Sequence, residues 1–173
     1  MRIFASFLIA AVAALPAPNL SAQNLSGRRA PSFSLPDSGF TQHDILDYRG
    51  KWLLVDFMRT DCPHCKALTQ LLESKKPAWG SRVAVLSIVL SPPDNQVTVS
   101  KYITETKITG ALVFDSGQVA LSFFKATPAK PAFDTPHLFA VNPQGMIVRD
   151  WTQLQVEDAG FPAELAALIA GKK

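Results

Sequence analysis

The order of apolar runs along the chain predicts an α/β sandwich built around a mixed sheet. Two nearly continuous apolar runs, Trp52–Met58 and Val83–Leu90, are typical of strands that are covered on both faces. Segments with helical spacing of apolar residues follow each of them. Two further runs, at residues 137–142 and Met146–Trp151, flank Pro143-Gln144-Gly145, which predicts a closing hairpin.

Shorter patterns complete the predicted order of elements. We expect short strands over residues 32–35 and 112–114 and a helical turn over residues 45–48. Asp115 or Ser116 is expected to cap a short helix that ends at Phe124. The other helices are predicted over residues 63–76, 97–110 and 162–170.

The N-terminus has the pattern of an export signal. Met1-Arg2 is a short basic start, residues 3–15 are apolar but short for a bilayer, and small residues follow at Leu20-Ser21-Ala22. We expect a signal peptide over residues 1–22, with an uncleaved anchor as the alternative. The protein is therefore expected to be exported, to the periplasm or another extracytoplasmic space, with no membrane span after cleavage.

Length and charge limit the remaining possibilities. Residues 23–30 are polar and basic and are expected to be a flexible leader, and residues 31–173 are sufficient for one domain. Charged residues make up 18% of the chain and form no basic run longer than pairs such as Arg28-Arg29, so no nucleic-acid partner is expected.

The two cysteines form the most informative motif. A disulfide between Cys62 and Cys65 would close so small a loop that it would contribute little to folding, which favours a reactive pair. Pro63 suits the first position of a helix that is capped by Cys62. A helix N-terminus stabilises a thiolate, which is the nucleophile in disulfide exchange. We therefore expect Cys62 to attack a partner and Cys65, one turn inside, to resolve the mixed disulfide.

Several segments resemble known families. Val55-Asp56-Phe57, followed by Cys62-Pro63-His64-Cys65-Lys66, resembles the active-site strand and helix of thioredoxins. Four other segments resemble the entry segments, the cis-proline segment and the hairpin of the exported TlpA/ResA-like redoxins: residues 30–35, residues 47–51, Thr135-Pro136 and residues 142–145. The resemblance implies a thioredoxin fold with an extra strand and helix between the CxxC helix and the cis-proline.

The resemblance also implies roles for residues outside the motif. Asp56 stands where thioredoxins carry a buried acid, which implies proton exchange with Cys65; the alternative is an acid at a strand end that reaches solvent. Thr135 and Pro136 are implied to hold the backbone of a partner opposite Cys62, with an ordinary loop proline as the alternative.

Residues next to the cysteines are expected to tune the redox bias. His64 favours an oxidant or isomerase over a strong reductant, and the same Pro63-His64 pair occurs in the DsbA-type oxidases that this motif resembles. Asp61 opposes that effect because its negative charge disfavours a neighbouring thiolate, so the direction of electron flow stays open. His137 either contacts the site or points off its strand, and His43 is expected on the surface.

These observations predict a monomeric thiol:disulfide oxidoreductase that acts on protein thiols and a redox partner protein. It needs no metal and no cofactor besides the redox-active disulfide. The alternatives are half of a zinc site, an accessory thiol reductant or copper-handling module in cytochrome or oxidase maturation, and a peroxiredoxin-like peroxidase. Peroxiredoxins need Pro-x-x-x-Thr-x-x-Cys, whereas Thr60 is only two residues before Cys62. The copper-handling relatives tend to use CxxxC.

Overall fold

A mixed sheet of six strands runs through the part of the chain that the structure, a computed structural model, describes: residues 25–129 and 133–171. The strands are β1 (Arg28–Arg29), β2 (Ser34–Pro36), β3 (Gln42–Asp44), β4 (Trp52–Met58), β5 (Val83–Leu90), β6 (Ala111–Asp115), β7 (His137–Val141) and β8 (Met146–Trp151). The helices are α1 (Pro63–Trp79), α2 (Gln96–Thr106), α3 (Gln118–Phe124), α4 (Gln153–Val156) and α5 (Phe161–Ile169).

The strand order of the sheet is β1-β8-β7-β4-β5-β6, and β2 pairs with β3 in a separate hairpin. Strands β4, β5 and β6 are parallel, whereas β7 is antiparallel to β4 and β8 is antiparallel to β7. The predicted mixed sheet and closing hairpin are therefore confirmed. Between α1 and β7 the chain forms β5, α2, β6 and α3, which include the extra strand and helix that the resemblance implies.

The two faces of the sheet carry different apolar cores, because successive residues of a strand point to opposite faces. Helices α1, α2 and α5 cover one face and pack on residues such as Leu54 and Met58. Helix α3 and the N-terminal segment cover the other face around Phe57. Asp56 lies between Leu54 and Met58 in the alternation, so its side chain is on the face that α1 covers.

Helix α1 is longer than predicted. It continues through Pro77 to Trp79 instead of ending near Lys76, and Gly80 follows with a φ of 57°. The side chain of Trp79 is buried in the core beneath α1, so the last turn is held by packing despite the N–H that Pro77 lacks. Within the described segments, no helix is long and apolar enough to span a membrane.

The N-terminal segment differs from the flexible leader predicted for residues 23–30. Strand β1 pairs with β8, and Leu25 and Ala30 are buried. The guanidinium of Arg28 donates hydrogen bonds to the carbonyls of Leu25, at 3.0 Å, and Phe123. Strand β8 and Phe123 are distant from this segment in sequence. The polar composition of the segment therefore predicted a flexible leader, because it gives no sign of these contacts. The predicted signal peptide, with residues 23 and 24, lies outside the described residues.

Arg28→Ala should lower the free energy of unfolding by about 2 kcal/mol, because charge-assisted hydrogen bonds to two carbonyls are lost. Urea unfolding measures the change. Arg29→Ala is the matched control, since Arg29 is exposed on the same strand. An equal loss in both variants would contradict a specific role for the Arg28 guanidinium.

Candidate active site

Cys62 lies at the N-terminus of α1. It has extended backbone angles, with φ of −93° and ψ of 116°, and Pro63 occupies the first turn of the helix. The Cys62 Sγ accepts a hydrogen bond from the backbone N–H of Cys65 at 3.2 Å. Because Pro63 lacks only an N–H that would have no partner within the helix, the sequence starts a helix here without a loss of hydrogen bonding. The sulfur thus caps the positive end of α1.

The second cysteine has a different environment. Both cysteines are free thiols, but Cys62 is partly exposed whereas Cys65 has no exposed surface. Burial raises the pKa of the Cys65 thiol, and the hydrogen bond with Cys62 and the charge of Asp56 raise it further. The pair therefore consists of one accessible sulfur and one shielded sulfur that needs a base before it can react.

Asp56 is a completely buried carboxyl group in the middle of β4. Burial raises its pKa to about 7. Neither oxygen has a hydrogen-bond partner within residues 25–129 and 133–171. The alternative of an acid that reaches solvent at a strand end does not describe this position. Asp56 and Cys65 are both completely buried, and the charge of Asp56 contributes to the raised pKa of the Cys65 thiol.

The loop before β7 approaches the accessible sulfur. The Thr135 carbonyl oxygen lies 3.9 Å from the Cys62 Sγ. The peptide bond between Thr135 and Pro136 is cis, and Pro136 is buried. The structure thus brings the predicted partner-binding residues and the predicted nucleophile together.

An apolar cavity of about 270 Å³ opens beside this loop. Besides Thr135 and Arg59, it is lined by Phe57, Met58, Ile88, Leu90, Pro93 and Phe133.

His64 has a partner that the sequence did not indicate. Its Nδ1 lies 2.6 Å from Glu157 Oε1, just after α4, and both side chains are about half exposed. Helix α4 itself was not predicted. Glu157 is far from the motif in sequence and belongs to no recognisable pattern, so only the fold reveals this contact.

The charge of Asp61 is balanced by a neighbouring cation. The Arg59 guanidinium donates two hydrogen bonds to the carboxylate, at 3.0 and 2.7 Å. The Arg59 hydrogen bond lowers the pKa of Asp61 below its usual value. Asp61 is therefore not the unopposed negative charge that the sequence predicted next to Cys62. The two-residue spacing from Arg59 is a sequence signal that indicates this pairing.

A third unpredicted contact joins this loop to the segment before α2. The carboxylate of Asp94, which is 5% exposed, accepts hydrogen bonds from the hydroxyl and the backbone N–H of Thr60. It also accepts a hydrogen bond from the Thr98 hydroxyl at 2.9 Å. Asp94 therefore ties the loop before Cys62 to the start of α2.

The other two histidines are each paired with an aspartate. His137 is buried on the α3 face of the sheet, where it packs against Phe124, and its Nε2 is 3.0 Å from Asp150 Oδ2. His43, expected on the surface, is partly buried and 3.0 Å from Asp37 Oδ2. In the described part of the chain, no three His, Cys, Asp or Glu side chains are grouped so that they could hold a metal ion.

The comparison with protein families agrees with this arrangement. The AhpC/TSA family matches residues 26–150, which is most of the chain. The chain belongs to the AhpC/TSA family. A relative of this AhpC/TSA-family chain is the thiol-disulfide oxidoreductase ResA of Bacillus subtilis, which is 22% identical over 131 residues. The match covers 76% of this chain and 69% of ResA.

Solved structures show the same fold. A Chlorobium tepidum protein described as thiol:disulfide interchange protein DsbE has a TM-score of 0.70 at 16% identity, over 84% of this chain and 96% of that one. The thioredoxin domain of a Bacteroides vulgatus thiol-disulfide oxidoreductase has a TM-score of 0.68 at 20% identity, over 83% and 97% of the two chains. Peroxiredoxin Q of Xanthomonas campestris has a TM-score of 0.68 at 18% identity, over 86% and 98%.

These likenesses confirm the thioredoxin fold for the AhpC/TSA-family chain. The family match and the match to ResA support a thioredoxin-like oxidoreductase of the TlpA/ResA redoxin type. Because the peroxiredoxin shares the same fold, fold alone does not choose between disulfide exchange and peroxide reduction.

Proposed function

We propose that the protein exchanges disulfides with protein partners outside the cytoplasm through Cys62 and Cys65. The observation that carries this proposal is the asymmetry of the two thiols. The accessible Cys62 sulfur caps a helix N-terminus and accepts the backbone N–H of Cys65, whose own sulfur is shielded one turn inside the helix. An attacking thiol must be accessible, whereas a resolving thiol must be close and protected from solvent.

The reaction in the reducing direction has two steps. The Cys62 thiolate attacks a disulfide of the partner, a new sulfur–sulfur bond forms, and one partner sulfur leaves as a thiolate that takes up a proton. Cys65 then loses its proton and attacks the Cys62 sulfur, which releases the second partner thiol. Two electrons pass to the partner, and the Cys62–Cys65 disulfide remains. The reverse sequence oxidises a dithiol partner.

Asp56 is proposed as the base for the second step. A carboxyl group with a pKa of about 7 is partly ionised at neutral pH and can accept the proton of Cys65. The partner thiolate that leaves can take that proton back. Neither Asp56 oxygen has a hydrogen-bond partner among the described residues, so both oxygens are free to accept the proton of Cys65 and to release it again.

The backbone of the partner is proposed to lie along Thr135 and Pro136. An extended segment there would place a partner cysteine next to the Cys62 Sγ, which is 3.9 Å from the Thr135 carbonyl. The export signal predicted for the N-terminus supports an extracytoplasmic location. The protein is proposed to act as a monomer without a further cofactor, because one chain supplies both thiols.

Redox titration of the purified protein tests this function. Thiol counting and mass measurement should show a reversible disulfide between Cys62 and Cys65 and turnover of a protein disulfide or dithiol. A reduction potential of about −120 mV would indicate an oxidase, which is the direction that Pro63 and His64 favour. A reduction potential of about −270 mV would indicate a reductant.

The same preparation distinguishes the alternative functions. Turnover of a hydroperoxide without protein disulfide exchange would favour a peroxidase, and stoichiometric copper retention would favour a copper-handling module. The Thr60 hydroxyl donates its hydrogen bond to Asp94 and not to the Cys62 sulfur, which favours disulfide exchange over the peroxidase. Absence of any reversible Cys62–Cys65 disulfide would overturn the proposed function.

A further inference from the structure

Residues 59–62 form the loop that leads into the nucleophile, and a backbone hydrogen bond closes this loop as a turn. The backbone N–H of Cys62 donates to the carbonyl of Arg59 at 3.3 Å. Thr60 and Asp61 lie inside this turn, and Thr60 hydrogen-bonds to a segment outside it. The position of the turn, and hence of the Cys62 Sγ, therefore depends on what anchors Thr60.

Asp94 supplies that anchor from a distant segment. One carboxylate oxygen accepts the Thr60 backbone N–H at 3.3 Å, and the other accepts the hydroxyls of Thr60 and Thr98. The carboxylate is almost completely buried, so water competes little for these hydrogen bonds. Hydrogen bonds to an ionised group are stronger than neutral ones and fix geometry more tightly.

The position of Asp94 is itself held by hydrogen bonds at the start of α2. Asn95 caps α2 by accepting the N–H groups of Val97 and Thr98, at 2.9 and 3.2 Å. The Thr98 hydroxyl accepts the Asn95 N–H at 3.0 Å. This reciprocal cap holds Asp94 at the start of α2. A continuous set of hydrogen bonds thus runs from the cap of α2 to the turn before Cys62.

At the other end of this set of hydrogen bonds, the Cys62 sulfur lies close to two backbone groups. The Cys62 Sγ must stay near the Cys65 N–H, at 3.2 Å, and near the Thr135 carbonyl, at 3.9 Å. A disulfide has a narrow range of favourable geometries, so the free energy of forming the Cys62–Cys65 bond depends on where the turn holds Cys62. The cap of α2 is thereby coupled to the relative position of the two sulfurs.

We propose that Asp94 is a positioning residue whose hydrogen bonds to Thr60 hold Cys62 where its disulfide with Cys65 forms readily. This inference rests on the proposed function, because it concerns the same thiol pair. Asp94 acts through the turn and touches neither sulfur.

Thr60→Val tests the geometric effect alone. Valine keeps the shape and the charges but removes the hydroxyl that Asp94 binds. We expect the equilibrium constant for forming the Cys62–Cys65 disulfide, measured in dithiothreitol redox buffers, to fall about tenfold, which corresponds to about 30 mV toward a more oxidising couple. Thr60→Ser keeps the hydroxyl and should stay within about twofold of the unmodified protein.

Asp94→Asn tests the anchor itself. It removes the charge and weakens the hydrogen bonds to Thr60, so the equilibrium constant should fall by at least as much as in Thr60→Val. If this variant fails to fold, the two Thr60 variants decide the question. Thr104→Val is the matched control, because the Thr104 hydroxyl lies on the exposed face of α2 and bonds only the Ser100 carbonyl.

The outcomes are distinct from those of the proposed function. A wild-type protein that forms no reversible disulfide would overturn the function. A redox-active wild-type protein whose potential is unchanged by Thr60→Val, or shifted equally by Thr60→Ser, would overturn the role of Asp94 and leave the function intact. A loss of thermal stability without a shift in potential would also contradict a positioning role.

Discussion

Cys62→Ser is expected to reduce disulfide exchange to the uncatalysed background, whereas Cys65→Ser should stop turnover after the first step. A serine hydroxyl at position 62 is not ionised at neutral pH and does not attack a disulfide. With Cys62 present and Cys65 replaced, the first sulfur–sulfur bond forms but nothing resolves it. Turnover should fall by at least about a thousandfold in both variants, since the residues act as a unit.

The two variants differ in what accumulates. Incubation with a disulfide-containing protein, followed by acid quenching and mass measurement, should show a mixed disulfide for Cys65→Ser and none for Cys62→Ser. Both replacements are close to isosteric, so matching circular dichroism spectra serve as the folding control. Accumulation of the adduct on Cys65 instead would reverse the assigned roles of the two sulfurs.

Asp56→Asn should change how stability depends on pH. Burial raises the pKa of Asp56 from 3.8 to about 7. Well below pH 4 the carboxyl is protonated in both the folded and the unfolded state, so it has no effect on stability there. Between about pH 4 and pH 7 the unfolded chain ionises while the folded protein keeps the proton, so stability falls by up to about 4 kcal/mol and then levels off above pH 7. Asparagine cannot ionise, so the variant lacks this decline.

Urea unfolding at pH 4 and pH 8 measures this effect. The free energy of unfolding of Asp56→Asn minus that of the unmodified protein should be larger at pH 8 than at pH 4 by up to about 4 kcal/mol. The asparagine amide adds an offset that is the same at both pH values. Asp134→Asn, at an exposed position, is the control. Parallel pH curves for Asp56→Asn and the unmodified protein would contradict the raised pKa.

The same variant tests the catalytic role. Without the carboxylate, resolution of a mixed disulfide by Cys65 should slow by about ten- to a hundredfold at neutral pH, while attack by Cys62 is little affected. Stopped-flow measurement of the two phases separates these steps. Equal rates of resolution in Asp56→Asn and the unmodified protein would contradict a catalytic role for Asp56.

The fold was predictable wherever a local pattern decided the structure. The apolar run of β4, the helix start at Pro63 and the turn at Pro143-Gln144-Gly145 each have a short-range physical cause, and each is confirmed. Asp115 also accepts the N–H groups of Val119 and Ala120 in the first turn of α3, although the N-cap residue itself is Gly117. These features need no knowledge of distant parts of the chain.

The surroundings of the site were less predictable because they depend on contacts between distant segments. Glu157 reaches His64 and Asp94 reaches Thr60 only after the sheet and helices have assembled. Neither acid stands in a recognisable motif. Strand β1 was missed for the same reason. Two arginines have no strand pattern of their own, and they form a strand here because they pair with β8.

The complete burial of Cys65 gives the protein a natural reporter of local opening. A water-soluble alkylating reagent can reach this sulfur only when the first turn of α1 separates from β4. The speed of labelling at Cys65, with Cys62 already blocked, therefore measures how often that turn opens in an otherwise folded molecule.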